Sequence, residues 1–502
     1  MAWHSVEGFS RIGRYIGNGS SDGPFVHTGF KPAFVMIKKT SGATSTDYFL
    51  IFDNARGDKY PPMSRVGTAD AQFTGDRMRF YSNGFKLSDT DSSRNSSGVV
   101  YFYMAFAESP YKYNNAVGNV TRQQRFNMRV SKEPNKYFDA IKFIGTGEQK
   151  LINLGFRPDL IIKKQLNSSS FGFMWYDSLR PGYEINSNSG GSGQYDGSSG
   201  QAFENGATTP YDLGIDNQSG RFNNNNDTYI VYNWKAGGQP TATNSNTSGA
   251  MTANSVSLNG VLQSSYTPAG SPSKYPNKMS INTEAGFSII TYEGNGTAGT
   301  TIPHGLSKAP QFTIIKNIDC TSGNEDWFTW HHYFPESGGE YQWLRLNSGS
   351  TTPTTFNNEA VWNDVAPTNE ILTLNGGGSP NKSGDTHVLY AWHEVPGYSS
   401  IGKYKGRGSG VTNTVYTGFE PAMVIIRRID SANSWVVFCN AKDTDATKNH
   451  VVWLDLVDAE ADGGATTALS FDTNGFSMSS SAYGASINTL NGEYIYIAFA
   501  HN

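Results

Sequence analysis

One stretch of sequence occurs four times along the chain, first as Thr28-Gly29-Phe30-Lys31-Pro32-Ala33-Phe34-Val35-Met36-Ile37-Lys38-Lys39. This stretch is a turn followed by a short apolar strand that ends in basic residues. Variants of it return at residues 154–164, 304–316 and 417–428. A chain built by copying one unit usually forms an array of like modules. The repetition therefore favours display or scaffolding over chemistry in a single cleft.

Strand-like segments flank every copy of this stretch. They are short, rich in Val, Ile, Tyr, Phe and Trp, and bounded by Gly, Asn, Ser or Pro, as in residues 9–19, 48–53 and 100–106. Branched and aromatic side chains fit a pleated, half-buried surface, and the bounding residues favour turns. No long amphipathic helical stretch is present. The sequence predicts an all-β fold of tandem antiparallel β-sandwiches, jelly-roll-like, in four copies.

The spacing of these segments predicts the domain boundaries. Each unit is on the order of 100 residues, a normal size for a compact domain. The predicted segments are a terminal strand of a truncated unit (1–7), repeat 1 (8–108), a linker (109–137), repeat 2 (138–237), a Ser/Thr/Asn-rich linker (238–284), repeat 3 (285–395) and repeat 4 (396–502). The second linker is too polar to bury enough surface to fold alone.

The first residues match the junction between repeats 3 and 4. Residues 2–10, AWHSVEGFS, correspond to residues 391–399, AWHEVPGYS. One interpretation is a remnant that packs on repeat 1. The other is a subunit-contact strand containing Trp3, His4 and Val6, which pairs with an open sheet edge of a neighbouring subunit through main-chain hydrogen bonds.

Composition excludes several classes of function. The net charge is −4, without the basic stripe that a nucleic-acid partner would require. Two cysteines cannot form a disulfide framework or a cysteine-based zinc site. No apolar run is long enough for membrane insertion, and the beginning of the chain lacks the pattern of a signal peptide. We therefore expect neither secretion by the usual route nor a membrane anchor.

Candidate catalytic groups are few. Asp53 with Arg56, and Asp177 with Arg180, follow an aromatic strand at the same spacing. A carboxylate and a guanidinium that clamp a turn explain both pairs better than catalysis or metal binding. Adjacent His331 and His332 would point to opposite faces of a strand, which makes a poor metal pair. We predict no enzyme, no catalytic residue and no cofactor or metal; calcium bound by the Asn-rich loop 223–227 is the alternative.

Repeat 3 concentrates aromatic residues. Trp327 and Trp343 match Trp435 and Trp453 of repeat 4, and the sequence predicts that they belong to the core. Trp362 has no counterpart and is predicted to contact a glycan or a neighbouring chain. Trp330, Tyr341 and Arg345 are the other predicted contact residues. On this hypothesis, Trp362→Ala leaves folding intact and weakens adsorption to the surface that it contacts.

Several motifs together resemble a known group of proteins. They are residues 177–182, 232–238, 285–297, 304–306 and 395–398. In this order they are similar to the repeat-bearing structural proteins of tailed bacteriophages, especially marine ones. The resemblance covers essentially all four units and transfers no catalytic residue.

The resemblance implies a virion protein made in the host cytoplasm, a tail fibre or tail-associated adhesin for host attachment. Its implied partners are other virion proteins, further copies of itself (a trimer by analogy with fibres) and a host-surface glycan or protein. A head decoration or other purely structural protein is the alternative. A glycan-degrading tailspike is less favoured, because neither paired carboxylates across a groove nor a long β-helix repeat is evident.

Overall fold

A computed structural model describes most of the chain from His4 to Ala500. The ranges not described are 1–3, 7, 41–46, 55–59, 69, 82, 108–135, 148–149, 196–211, 216–222, 322–324, 335, 338–339, 351–360, 377–378, 409, 443–446, 449, 463–467, 479–483 and 501–502. The chain divides into two compact units, Met1–Thr121 and Arg122–Asn502. Repeat 1 lies in the first unit, and repeats 2, 3 and 4 lie in the second. Most of the predicted linker 109–137 lies outside the described residues.

The first unit is one antiparallel β-sandwich. Its strands are β1 (Ser10–Ile16), β2 (Phe25–His27), β3 (Pro32–Lys39), β4 (Leu50–Asp53), β5 (Met63–Arg65), β6 (Met78–Tyr81), β7 (Gly84–Leu87) and β8 (Val100–Ala107). A main sheet has the order β1-β8-β3-β4-β5, and a small sheet has the order β2-β7-β6. Alternate residues of β3, including Val35 and Ile37, point into the core between the two sheets.

Repeat 2 has the same arrangement. Its strands are β9 (Phe138–Ile144), β10 (Lys150–Asn153), β11 (Leu160–Gln165), β12 (Met174–Asp177), β13 (Tyr183–Asn186), β14 (Gln194–Tyr195), β15 (Asp212–Ile215) and β16 (Thr228–Trp234). The main sheet has the order β14-β13-β12-β11-β16-β9, and β10 pairs with β15.

Repeat 3 has the largest sheet. Its strands are β17 (Val256–Leu258), β18 (Val261–Leu262), β19 (Lys278–Asn282), β20 (Phe287–Glu293), β21 (Thr300–Pro303), β22 (Phe312–Asn317), β23 (Trp327–His331), β24 (Glu336–Ser337), β25 (Glu340–Tyr341), β26 (Leu344–Arg345), β27 (Ile371–Leu374) and β28 (Thr386–Trp392). The main sheet has the order β18-β17-β19-β20-β28-β22-β23-β26, and β21 pairs with β27.

Repeat 4 completes the second unit. Its strands are β29 (Ser399–Lys405), β30 (Asn413–Tyr416), β31 (Pro421–Arg428), β32 (Val436–Cys439), β33 (Thr447–Lys448), β34 (His450–Trp453), β35 (Ala461–Asp462), β36 (Leu469–Asp472), β37 (Gly475–Met478) and β38 (Glu493–Ala500). The main sheet has the order β29-β38-β31-β32-β34-β35, and the small sheet has the order β30-β37-β36-β33.

The predicted all-β class is confirmed. In the described residues, helix is confined to a 3-10 turn at Ser379–Asn381 and to α1 at Gly484–Ile487. Nowhere in this part of the chain is a helix long and apolar enough to span a bilayer. In each main sheet, the last strand of the repeat lies between two strands that flank the recurring turn: β1 and β3 in repeat 1, β9 and β11 in repeat 2, β20 and β22 in repeat 3, and β29 and β31 in repeat 4.

The segment 238–284 differs from the predicted linker. It supplies β17, β18 and β19, which extend the main sheet of repeat 3. Its apolar residues Val256, Met279 and Ile281 are buried in the core of that sandwich. A polar stretch can join a fold in this way because neighbouring strands provide its backbone hydrogen-bond partners and its few apolar side chains share an existing core.

Candidate functional site: the outer faces of the main sheets

Each main sheet has two faces, and residues of equivalent register occupy them in every repeat. Even-numbered residues of β3, such as Met36, point away from the small sheet, and Met36 pairs with Met104 of β8. The same pairing joins Ile162 to Tyr232, Ile314 to Tyr390 and Ile425 to Ile497. We call the surface on this side, opposite the small sheet, the outer face.

In the second unit the three outer faces pack on one another. The residues come from repeat 2 (Leu160, Ile162, Trp175, Tyr232, Trp234), repeat 3 (Phe287, Phe312, Ile314, Trp327, Trp392) and repeat 4 (Met423, Ile425, Trp435, Ile497, Phe499), all in one buried cluster. Ring contacts join each pair of repeats: Trp175 to Trp327 at 5.1 Å, Phe312 to Trp435 at 6.2 Å and Phe138 to Phe499 at 5.2 Å between centroids.

A small cavity of about 20 Å³ lies where the three outer faces meet. Side chains of all three repeats line it, among them Trp175, Phe312 and Ile425. Its lining is apolar, so even a single water molecule would lack hydrogen-bond partners there. The cavity is a packing defect at the centre of the cluster and is too small for an organic ligand.

One basic residue of each outer face donates to the main chain of another repeat. This residue is Lys164 in repeat 2, Lys316 in repeat 3 and Arg427 in repeat 4. Each lies four residues after the equivalent positions Leu160, Phe312 and Met423. The contacts are Lys164 Nζ to Val457 O at 2.8 Å, Lys316 Nζ to Gly190 O at 3.1 Å, and Arg427 Nη2 to Gly349 O at 3.4 Å. Repeat 2 thus contacts repeat 4, repeat 4 contacts repeat 3, and repeat 3 contacts repeat 2. The contacts form a closed ring with one direction.

The acceptors of this ring are equivalent positions. In each repeat of the ring, one backbone N–H donates to a carbonyl at or next to the first residue of a main-sheet strand, as Leu346 N does to Trp327 O and Leu454 N does to Trp435 O. The acceptor carbonyl of the ring lies three residues after that N–H. Indole groups follow the same direction: Trp327 Nε1 donates to Ser189 O, and Trp435 Nε1 donates to Arg345 O, both at 3.0 Å. Three sequence repeats therefore imitate a three-subunit ring.

Burial shifts the pKa values of the basic groups in the ring. Desolvation lowers the pKa of Lys164 to about 8 and that of Arg427 to about 10, because the charged forms lose hydration. Main-chain carbonyls accept hydrogen bonds from both groups. These pKa shifts result from burial between packed repeats, and structural burial also perturbs groups outside catalytic sites.

The Asp177–Arg180 pair forms the predicted clamp. Asp177 Oδ1 accepts hydrogen bonds from the backbone N–H groups of Leu179 and Arg180, both at 3.1 Å, and Asp177 Oδ2 accepts from Arg180 Nε at 3.0 Å. Tyr390 of repeat 3 also donates to Asp177 Oδ2 at 2.8 Å. All three side chains are buried, so the pair links two repeats and is closed to substrate. Asp53 is described, whereas Arg56 lies outside the described residues.

Two predicted contact residues of repeat 3 are buried, and their assignment as surface contacts is wrong. Trp362 and Trp330 both belong to the core between the sheets of repeat 3. A backbone hydrogen bond from Asn375 N to Val361 O, 3.1 Å long, holds the segment of Trp362 against that core. Trp362 has no counterpart in the other repeats, so the sequence pattern could not distinguish an inserted core residue from an exposed ring at that position.

The other aromatic predictions have different outcomes. Trp327 and Trp343 are core residues, as predicted. Arg345 is partly exposed, and its Nε lies 2.7 Å from Asp326 Oδ2 while its guanidinium lies near the Trp343 ring. Tyr341 belongs to β25, and its side chain lies outside the described part of the structure. Contact of Arg345 and Tyr341 with a partner stays a prediction.

The residues considered as metal ligands, His331 and His332, make packing and hydrogen-bond contacts within the protein. His331 is buried, and desolvation lowers its pKa well below the usual value. His332 lies against Ile401 O at 3.0 Å, which joins repeat 3 to repeat 4. Within the described ranges no group of three or more His, Cys, Asp and Glu side chains is arranged for a metal ion. In the Asn-rich loop, Asn223 accepts a hydrogen bond from Thr146 N through Oδ1.

The beginning of the chain forms the same local turn as the junction of repeats 3 and 4. Val6 pairs with Ser10 as Val395 pairs with Ser399. Val6 N donates to Ser10 Oγ at 3.1 Å, and Val395 N donates to Ser399 Oγ at 2.9 Å. His4 and Val6 are exposed, and Trp3 lies outside the described residues. The subunit-contact role of these three residues stays a prediction.

Every repeat contains a buried asparagine whose role in holding a turn was not predicted from the sequence. The residues are Asn95, Asn223, Asn381 and Asn488, and the Oδ1 of each accepts a backbone N–H that follows a glycine of the first turn. At Gly17, an added Cβ would lie 2.3 Å from Ser96 O, so this turn of repeat 1 requires glycine. A signal was present: each asparagine lies six residues before a ring of the closing strand, Tyr101, Tyr229, His387 or Tyr494.

A comparison with protein families finds a match to the chain. Its description is "Domain of unknown function (DUF7483)", and its model matches residues 1–110, 133–273 and 263–502. Together these ranges cover most of the chain. No curated protein matches the chain.

Proposed function

We propose that this chain, which belongs to the DUF7483 family, is a non-catalytic structural protein of a tailed-phage virion, of the tail-fibre or tail-associated type. The observation that carries the proposal is the closed ring of three outer faces. In this ring, the buried basic groups and aromatic side chains of the second unit hold three sandwiches together. A rigid building block requires such contacts between its domains.

The burial of reactive groups supports a non-catalytic role. His331, Asp177 and Arg427 are buried. Asp177 and His331 accept hydrogen bonds that hold turns, His331 from Tyr333 N, and Arg427 donates to Gly349 O across the ring. Desolvation lowers the pKa of His304 to about 4, and its ring lies against Thr368 O. An active site requires perturbed groups that converge on accessible space. These groups converge instead on packed side chains and carbonyls.

The second unit is stabilised by packed aromatic rings, and this supports a role in an assembled particle. Aromatic rings form the shared core of the second unit, and each buries a large apolar area. Cys439 is buried and Cys320 is partly buried, and both are free thiols. Stability without disulfides suits a chain that folds in a reducing cytoplasm and is then built into a particle.

The virion role is tested by locating the chain in purified particles. We expect mass spectrometry of gradient-purified virions to detect the protein, and gold-labelled antibodies to place it at the tail. Few copies per particle fit a fibre, whereas hundreds of copies along the head fit a decoration. Particles without the protein would contradict the proposal.

The non-catalytic role needs a separate assay. We expect that incubation of the purified protein with host-surface polysaccharide releases no new reducing ends. A known depolymerase on its own substrate serves as the positive control. Release of reducing ends would contradict the non-catalytic role and favour the tailspike alternative.

A further inference from the structure

The outer face of repeat 1 has the composition of the ring faces but a different exposure. Three apolar residues on or beside it are exposed: Phe9 by 42%, Phe49 by 39% and Val66 by 45%. Between them, Met36, Met104 and Phe106 are partly exposed. Isolated apolar residues on a surface are normal, but a contiguous patch of this kind marks an interaction site.

Each of these exposed positions has buried equivalents in the second unit. Val66 N donates to Phe49 O at 2.9 Å, the same edge contact that Leu346 makes with Trp327 and Leu454 makes with Trp435. Leu346, Leu454 and both indoles are buried in the shared cluster. Phe9 corresponds to Tyr398, which is also buried there; Phe9 lies 6.1 Å from Phe106, and Tyr398 lies 6.0 Å from Phe499.

The ring geometry indicates what covers this face. The outer faces of repeats 2, 3 and 4 are all used in a ring that closes after three members, so the ring has no place for a fourth face. A heterologous interface that closes after three steps in one chain also closes after three steps between identical copies. We propose that three copies of this chain assemble through the outer face of repeat 1, in the arrangement that repeats 2, 3 and 4 have within one chain.

Specific residues acquire roles in this assembly. Lys38 occupies the register position of Lys164, Lys316 and Arg427. In the single chain its ammonium donates to Asp47 O and lies 5.0 Å from the Phe49 ring. In the assembly Lys38 donates to the main chain of the next copy, as Lys164, Lys316 and Arg427 donate between repeats of one chain. Three Val66 side chains converge near the axis, as Leu346 and Leu454 do beside the central cavity.

This inference does not depend on the virion role. A trimer in solution would leave the location of the protein in a particle untested, and absence from particles would leave the trimer intact.

Val66→Glu is the decisive variant, because Val66 is exposed in the single chain and its replacement does not disturb the sandwich core. In the assembly it would bring three carboxylates into an apolar centre, which carries a large desolvation cost. Val411→Glu is the matched control, since Val411 is 42% exposed and lies in repeat 4.

The measurement is the mass of the full chain by light scattering after size-exclusion chromatography. We expect three times the chain mass of 54.8 kDa for the parent protein and for Val411→Glu, and a threefold lower mass for Val66→Glu. Oxidation of a Val66→Cys variant should also join two copies through a disulfide, whereas Val411→Cys should not. A monomeric or dimeric parent protein, or a Val66→Glu variant that stays trimeric, would overturn the proposal.

Discussion

Strands β3 and β31 have almost the same sequence, PAFVMIKK and PAMVIIRR, and different surroundings. From Phe34 to Lys38 of β3, partly exposed and buried residues alternate, whereas in β31 every residue from Pro421 to Arg427 is buried. A strand that is covered on both faces needs a continuous apolar run, and one covered on a single face needs only alternate positions. Strand β3 thus has the sequence of a doubly covered strand in a singly covered position.

The difference shows that the two faces of these sheets depend on different neighbours. The inner face is satisfied within each repeat, by the small sheet of the same sandwich. The outer face requires other sheets, and the second unit obtains them from its own chain. Repeat 1 retains the apolar side chains of such a face, which is what the proposed three-copy assembly explains.

The largest effect is expected from truncating one outer-face position in both units. Phe173 and Phe49 occupy equivalent positions, and Phe173 is fully buried. We expect Phe173→Ala to lower the free energy of unfolding of the second unit by about 4 kcal/mol, because it leaves a cavity in the shared core. The measurement is the denaturant midpoint followed by tryptophan fluorescence.

The matched truncation is Phe49→Ala in the monomeric Val66→Glu background. There we expect a loss below about 1 kcal/mol, since an exposed ring gives up little buried area. Equal losses at the two positions would contradict the contrast between the units.

A second large effect concerns an inner core. Trp362 is buried between the two sheets of repeat 3, so we expect Trp362→Ala to cost about 3 kcal/mol in unfolding free energy. Val365→Ala, at an exposed residue of the same segment, is the control and should leave the midpoint unchanged. A Trp362→Ala protein of normal stability that binds host surface less well would restore the surface role predicted from sequence.

An intermediate effect should be the same in both units. Asn95 and Asn488 bond the glycine turn inside their own sandwiches, independent of any outer face. We expect Asn→Ala at either position to cost about 1–3 kcal/mol, because a partly buried backbone N–H loses its acceptor and the hydrogen bonds of a buried side chain are removed. Thermal unfolding measures the change, with exposed Asn474→Ala as the control. A loss at one position alone would mean that the turn is not an equivalent element of every repeat.

The smallest effect is a pH dependence from Lys164. Burial lowers its pKa from 10.5 to about 8, so between these values the unfolded chain binds the proton more strongly than the folded protein does. Stability therefore rises with pH in this window, by about 1 kcal/mol between pH 8 and 9. Lys164→Met should remove this increment in denaturant titrations at the two pH values. An identical increment in the variant would assign it to another group.

Local patterns predicted the strands well. The Gly and Pro turns and the branched and aromatic runs placed the strands around the recurring stretch, since these preferences act over a few residues. The predicted linker at 238–284 failed for the opposite reason. Its strands have little apolar sequence of their own, and they form because the edge of an existing sheet offers them hydrogen bonds. The contact role of Trp362 failed because burial of a ring in an insertion depends on what packs over it.

The amino-acid sequence by itself determined that this protein is an array of antiparallel sheets with glycine turns and aromatic closing strands. It also carried the apolar residues of both faces of every main sheet. Only the tertiary structure decided which outer faces are covered, because nearly identical strands such as β3 and β31 acquire their burial from sheets distant in the chain. A local pattern records what a strand is able to bury, whereas the arrangement of the other sheets decides what it does bury.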